Sequence, residues 1–169
     1  GASATHLMLN QNDVENYRTF AKLSPPLRRE EDRLALIAGV ADGTIDVVVS
    51  GHNPQNEEAK RQPFAQAAYG TVGVETLLAG VLSLYHANDV PLDRLLDCVT
   101  ARPAALLGLA GGTLSIGANA DFAVTDIDAP WVVDADTLRS KSQNAAIDKR
   151  KVQGQVLGCY VSGKAVFEL

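Results

Sequence analysis

Cysteine and histidine are scarce in this chain of 169 residues, which contains two cysteines and three histidines. Cys98 and Cys159 lie far apart and lack the spacing of a thiolate metal site. The sequence therefore supports neither a disulfide framework nor a thiolate zinc centre. This cysteine usage fits a reducing environment, and we expect a cytoplasmic location.

Long apolar runs and a strong excess of one charge are also absent. No apolar run approaches the roughly 20 residues of a membrane span, which predicts a soluble protein without a membrane partner. The net charge of −5 is spread over interspersed signs, whereas a nucleic-acid surface would show a basic stripe. We interpret the basic cluster Lys149–Lys151 as a solvated turn and expect no nucleic-acid partner.

An initiator methionine and a signal peptide are missing, since the chain opens Gly1-Ala2-Ser3. We interpret it as a fragment, a processed chain or an engineered segment. Its length suits one domain. It is too short for larger single-domain folds such as a complete (β/α)8 barrel, which needs about 250 residues.

The most informative segment is Ile45–Pro54, in which a β-branched apolar run stops in a small, polar, turn-forming tip. This pattern predicts a buried strand, Ile45–Val49, that delivers a loop to a site. In a parallel barrel, chemistry lies at the carboxyl ends of the strands, which here means Ser50, Gly51 and His52. Gly51 has no side chain and can supply neither a metal ligand nor a general base.

Around this strand the apolar spacing predicts an alternating α/β order followed by a β-rich tail. Gly43 is predicted to end the first helix, Pro103 to interrupt the last one, and Ser162-Gly163 to form a hairpin turn. The predicted helices are 29–41, 73–85, 91–99 and 104–109, and the predicted strands after them are 122–127, 131–133, 156–161 and 164–167. We place a domain boundary at Gly111-Gly112, which divides the chain into 1–110 and 111–169.

Several segments, taken in order, resemble the C-terminal half of dihydroorotases of the amidohydrolase superfamily. The tetrad Gly51–Pro54 stands where that family commonly has Asp-His-x-Pro, and the resemblance runs from about His6 to the C-terminus. The other matching segments are Ala21–Arg28, Lys60–Phe64, Gly70–Thr76, Ala101–Leu109 and Gly117–Val124. The resemblance implies an α/β fold: the last part of a TIM-type (β/α)8 barrel, then a portion of a small β-sandwich.

The resemblance also implies a zinc site, of which this half would supply two ligands. One is the tetrad aspartate, replaced here by Gly51. The other is a histidine of a family triplet His-His-Leu, which in this chain reads Thr5-His6-Leu7. If the first histidine of the triplet binds the metal, Thr5 has replaced it. If the second binds the metal, His6 remains as a ligand. We favour the first alternative, with His6 in a structural role, and expect no catalytic residue and no bound zinc in this chain alone.

Four positions match substrate-binding positions of the family. Ser24 stands where an Asn often faces the pyrimidine ring, and Gln55 stands where a histidine often helps to hold the substrate carboxylate. Gly70 and Gly73 resemble the loop whose backbone closes over the substrate, although turn formation alone explains these glycines equally well.

Three functions follow from the resemblance. The first is a dihydroorotase-like hydrolase that interconverts carbamoyl aspartate and dihydroorotate in pyrimidine biosynthesis, of which this chain is an incomplete and inactive portion. The second is a non-catalytic dihydroorotase-like partner of aspartate transcarbamoylase, and the third is an allantoinase or hydantoinase. Because a half-barrel exposes an unpaired sheet edge, we expect the chain to bind its missing N-terminal half or to self-associate.

Overall fold

A computed structural model describes residues 1–169 as a mixed α/β chain in which short strands and helices alternate before an antiparallel sheet. The strands are β1 (Ala2–Ser3), β2 (Val48–Val49), β3 (Phe122–Val132), β4 (Lys151–Val161) and β5 (Lys164–Glu168). The helices are α1 (Ala4–Met8), α2 (Glu30–Asp42), α3 (Glu57–Lys60), α4 (Leu77–His86), α5 (Leu92–Val99) and α6 (Ala101–Leu107). Short 3₁₀ turns cover Gln11–Val14, Thr19–Ala21 and Ala135–Thr137.

The two short strands near the start of the fold are parallel neighbours. Ala2 pairs with Val48 and Ser3 with Val49, and the Ala2 N–H donates to the Val47 carbonyl at 3.0 Å. The strand predicted over 45–49 is therefore present but shorter, because β1 offers only two residues before Ser3 caps α1. Parallel pairing brings the carboxyl ends of β1 and β2 to the same edge.

The helices follow local sequence signals, with two corrections. Helix α2 has three acidic residues in its first turn and ends at Gly43, whose φ of 89° is left-handed. The prediction that Pro103 interrupts the last helix was wrong: α6 starts at Ala101, and proline is tolerated in a first turn because its missing N–H has no intrahelical partner there. Helix α4 starts at Leu77 rather than at Gly73.

The second half of the chain forms an antiparallel sheet in the order β3-β4-β5. The strands predicted as 122–127 and 131–133 are one strand, with an irregular register between Asp126 and Pro130. The hairpin between β4 and β5 is as predicted, since Ser162 and Gly163 both have positive φ, at 50° and 74°.

Two apolar clusters form most of the core. The first lies between α1, α2, α4, α5 and β2, and includes Leu7, Val40, Val48, Leu84 and Leu95. The second joins Leu9, Leu23 and Leu27 to Val133, Ala146 and Ile147, so residues 133–147 pack against the first part of the chain. None of the helices combines the length and the apolar character needed to cross a membrane.

Candidate functional site

A cleft of about 370 Å³ opens at the carboxyl ends of β1 and β2. The chain changes direction at the end of each strand. After β1, Ser3 caps helix α1, and after β2, Gly51 turns the chain with a φ of 62°. Its lining includes Ser3, Thr5, His6, Ser24, Gly51 and Gly70. Five positions singled out in the sequence, namely Thr5, His6, Ser24, Gly51 and Gly70, therefore meet in one cleft.

Two of the predicted substrate-binding positions, Gln55 and Gly73, do not line this cleft. The Gln55 Nε2 donates to Oδ1 of Asn53 at 2.8 Å, so its side chain supports a residue that does line it. A Cβ on Gly73 would collide with the Ser50 carbonyl, so this glycine is required for close packing of two backbone segments. Gly73 and Gln55 thus lie behind the cleft wall.

His6 has both ring nitrogens engaged. Its Nε2 lies 2.9 Å from the Pro25 carbonyl oxygen, which can only accept, so Nε2 carries a proton and donates. Its Nδ1 lies 2.7 Å from Oγ of Ser3, and in the neutral ring it accepts the hydroxyl proton. The Nδ1 lone pair is therefore occupied, and His6 connects the start of α1 to the Ser24-Pro25 wall.

The residues of the chain do not furnish a metal centre. A zinc ion in a hydrolytic site needs imidazole or carboxylate ligands. Thr5 offers only a hydroxyl, and Gly51 offers no side chain. Nowhere in residues 1–169 do three His, Cys, Asp or Glu side chains come close enough to hold a metal ion. His52, the neighbour of Gly51, accepts at Nδ1 from the N–H groups of Gly73 and Val74, at 3.2 and 3.4 Å.

Three polar residues that line the cleft, Ser3, Asn53 and Thr71, were not among the site residues predicted from the sequence. Ser3 carries a usable signal, because a serine directly before a helix is a common N-cap, and its Oγ accepts from the His6 N–H at 3.4 Å. Thr71 carries no such signal: its buried hydroxyl donates to the Asn144 carbonyl at 3.0 Å and accepts from the Ala146 N–H at 2.8 Å. These partners are distant in sequence.

A buried lysine outside the cleft holds together the chain segments that form its lining. Lys60 is 2% exposed, and its Nζ donates to the carbonyls of Thr19 and Ala68 at 2.9 Å each and of Lys22 at 3.5 Å. The Lys22 carbonyl also accepts from the Gly70 N–H at 3.0 Å, so Lys60 joins the segments that carry Ser24 and Gly70. Burial, and to a lesser extent the positive charge of Lys22, lower the pKa of Lys60 to about 8.

Known proteins are similar to this chain in sequence and in fold. The amidohydrolase family matches residues 4–166. The dihydroorotase of Anaplasma phagocytophilum (strain HZ) is 41% identical over 162 residues, covering 96% of this chain and 36% of that protein. The dihydroorotase of Pelobacter propionicus is 38% identical over 162 residues, covering 96% of this chain and 38% of that protein.

Solved structures agree with this assignment. The L-hydantoinase of Arthrobacter aurescens superposes with a TM-score of 0.92 at 29% identity, covering 98% of this chain and 38% of that one. The dihydropyrimidinase of Brevibacillus agri, at 21% identity and a TM-score of 0.91, shows the same fold. The predicted α/β fold and the predicted resemblance to part of a dihydroorotase are confirmed.

This chain spans little more than a third of the length of the relatives it matches. Its family implies a metal ion, whereas the cleft residues Thr5, His6 and Gly51 do not supply the ligands for one. With a family match over nearly all of its residues, the chain belongs to the amidohydrolase family.

Proposed function

We propose that this chain is part of a dihydroorotase-like protein of pyrimidine biosynthesis and forms a cleft that binds the cyclic amide without supplying the catalytic metal site. The observation that carries this proposal is the meeting of Thr5, His6, Ser24, Gly51 and Gly70 in one cleft. The identity of 41% to a dihydroorotase supports dihydroorotate and carbamoyl aspartate as its ligands.

The cleft retains groups that can recognise a cyclic amide. Ser24 and Asn53 lie on its lining and offer hydrogen-bond donors and acceptors, and Gly70 exposes backbone on the same lining, where a ligand can approach it. In relatives that bind zinc, the metal would polarise the amide carbonyl and activate water. In this chain Gly51 and Thr5 leave that chemistry without ligands, so we expect no zinc in the chain alone.

The decisive experiment is calorimetric titration of the protein with L-dihydroorotate and N-carbamoyl-L-aspartate, combined with a turnover assay. We expect binding without turnover, and Ser24→Ala should weaken binding about tenfold, as expected for a lost hydrogen bond to a buried ligand. The exposed Ser115→Ala is the matched control and should bind as the wild type does. Absence of binding at millimolar ligand, or turnover abolished by a chelator, would contradict the proposal.

Experiments on the same protein distinguish two alternative functions from this one. The replacements at Thr5, Gly51 and Gln55 favour a non-catalytic partner of aspartate transcarbamoylase, which predicts co-sedimentation with that enzyme. The likeness to L-hydantoinase favours a hydantoinase-type ligand, which predicts that hydantoin binds more tightly than dihydroorotate. We further propose a cytoplasmic location and a partner that is either the missing N-terminal half or a second copy.

A further inference from the structure

Three chain segments lie side by side at the cleft, two of them on its lining and the third behind these two, and a single buried side chain connects them. Parallel bridges join His52 to Thr71 and Val72 to Ala145, so residues 52–55, 70–73 and 144–146 are neighbours. The first two segments carry Asn53, Gly70 and Thr71, which line the cleft. The third segment carries Asn144, which is 3% exposed and does not line the cleft.

We infer that Asn144 is a positioning residue that fixes the separation of the cleft walls 52–55 and 70–73, and through them the affinity of the cleft for its ligand. This inference rests on the proposed function and deepens it. Neither the spacing of the sequence nor the resemblance to dihydroorotases singled out Asn144.

The side chain of Asn144 is bonded to both walls at once. Its Oδ1 accepts from the Gln55 N–H at 3.2 Å and from the Ser142 hydroxyl, and its Nδ2 donates to the Gly70 carbonyl at 3.0 Å. Its backbone carbonyl accepts from the Val72 N–H at 3.1 Å. A planar amide has a fixed distance between its oxygen and its nitrogen, so it sets the distance between the two walls.

The two walls are also in contact on the side that faces the cleft, where their backbones lie too close together for an added side chain. A Cβ on Gly70, whose φ is +128°, would collide with the carbonyl of Asn53. The Asn53 Nδ2 donates to the Tyr69 carbonyl at 3.4 Å. Because a buried amide that loses a partner costs free energy, movement of either wall away from Asn144 is opposed from behind.

The test compares Asn144→Asp with Gln143→Glu. Asn144→Asp keeps an oxygen for Gln55 but places a carboxylate oxygen against the Gly70 carbonyl, and Gln143→Glu puts the same charge on the exposed neighbour. Hydrogen exchange, read by mass spectrometry, is followed in peptides from 52–56, 68–73 and β4. We expect Asn144→Asp to speed exchange about tenfold in 52–56 and 68–73 and to leave β4 within about twofold, and Gln143→Glu to change none of them.

Ser142→Ala serves if Asn144→Asp does not fold. It removes the hydroxyl whose single proton is shared between two acceptors, the Gln55 carbonyl and Asn144 Oδ1, so exchange should rise in 52–56 alone. Unchanged exchange in both walls, or an even rise that includes β4, would overturn the inference for whichever variant folds.

Titration with L-dihydroorotate separates this inference from the proposed function. If the wild type binds, Asn144→Asp should weaken binding about tenfold, and an unchanged affinity with loosened walls would overturn the inference. If the wild type does not bind, the proposed function fails, while the exchange data still decide whether Asn144 positions the walls.

Discussion

A Cβ atom on Gly51 would lie 3.0 Å from the Cβ of Ser3. With its φ of +62°, this proximity makes glycine the residue that the present backbone requires there. Gly51→Ala should therefore cost more than the roughly 1–2 kcal/mol of a left-handed alanine. Gly108→Ala is the matched control, since Gly108 has a φ of +66° and open space around it. Urea denaturation of both variants checks this, and equal losses would contradict a role for the Ser3 contact.

Restoring the carboxylate of the tetrad should not create a metal centre. Gly51→Asp adds one carboxylate to the cleft, which Thr5 and His6 also line, while His6 stays engaged with Ser3 and Pro25. Catalytic zinc sites use three protein ligands, so we expect no stoichiometric zinc and no ring opening of dihydroorotate. Elemental analysis after dialysis, with turnover measured in parallel, decides it. Chelator-sensitive turnover would show that the cleft is more complete than its residues indicate.

Lys60→Met should destabilise the protein by about 1–3 kcal/mol, because it leaves the partly buried carbonyls of Thr19 and Ala68 without their donor. The exposed Lys164→Met should change little. The loss is read from chemical denaturation at neutral pH. A Lys60→Met variant as stable as the wild type would mean that water replaces the amine.

Lys60 also predicts a pH dependence. Its pKa is lowered by burial to about 8 from the usual 10.5, so between these two values the folded state releases the proton while the unfolded state retains it. Stability should rise with pH over this window, relative to the Lys60→Met variant, since the unfolded state binds more protons there. Denaturation of both proteins from pH 7 to 10.5 measures the difference. Parallel curves would contradict it.

Glu30 predicts a dependence at acid pH. The Arg33 guanidinium, and then the Asn10 amide, lower the pKa of Glu30 from 4.5 to about 2. A carboxylate with a lowered pKa stabilises the fold above pH 4.5, and this contribution is lost as the pH falls toward 2. Glu30→Gln should flatten that part of the stability curve, whereas Glu31→Gln, in an exposed pair with Arg29, should not. Identical acid profiles for the two variants would refute the assignment.

The edge of the β1-β2 sheet and exposed apolar side chains predict that the chain associates with another polypeptide. Strand β1 has β2 as its single neighbour, and Val49, Leu107 and Ile116 are exposed apolar side chains. We expect the chain to self-associate or to bind its missing half through well over ~1,000 Å² of interface. Sedimentation at micromolar concentration tests this. A monomer that stays stable and unfolds cooperatively would mean that the chain has a self-sufficient fold, and would rule out its interpretation as a half-barrel.

Local signals were sufficient where neighbours in sequence determine the structure. Acidic residues and Gly43 bounded α2, and Ser162-Gly163 predicted the hairpin. The resemblance added positions that meet in the cleft, such as Ser24 and Gly51. The role of Asn144 could not be predicted, because its partners Gly70 and Gln55 lie 74 and 89 positions away. The burial of Lys60 was not predicted either, because a lysine is ordinarily a surface residue and only packing shows that this one is buried.

The second core cluster has a consequence for synthesis. Leu9 and Leu23 are covered by Val133, Ala146 and Ile147, and the Arg18 guanidinium donates to the Ala146 carbonyl across 128 positions. A ribosome needs on the order of ten seconds to add that many residues. During this interval the side chains of Leu9 and Leu23 are without their native cover, so this core cluster can be completed only after residues 133–147 have been synthesised.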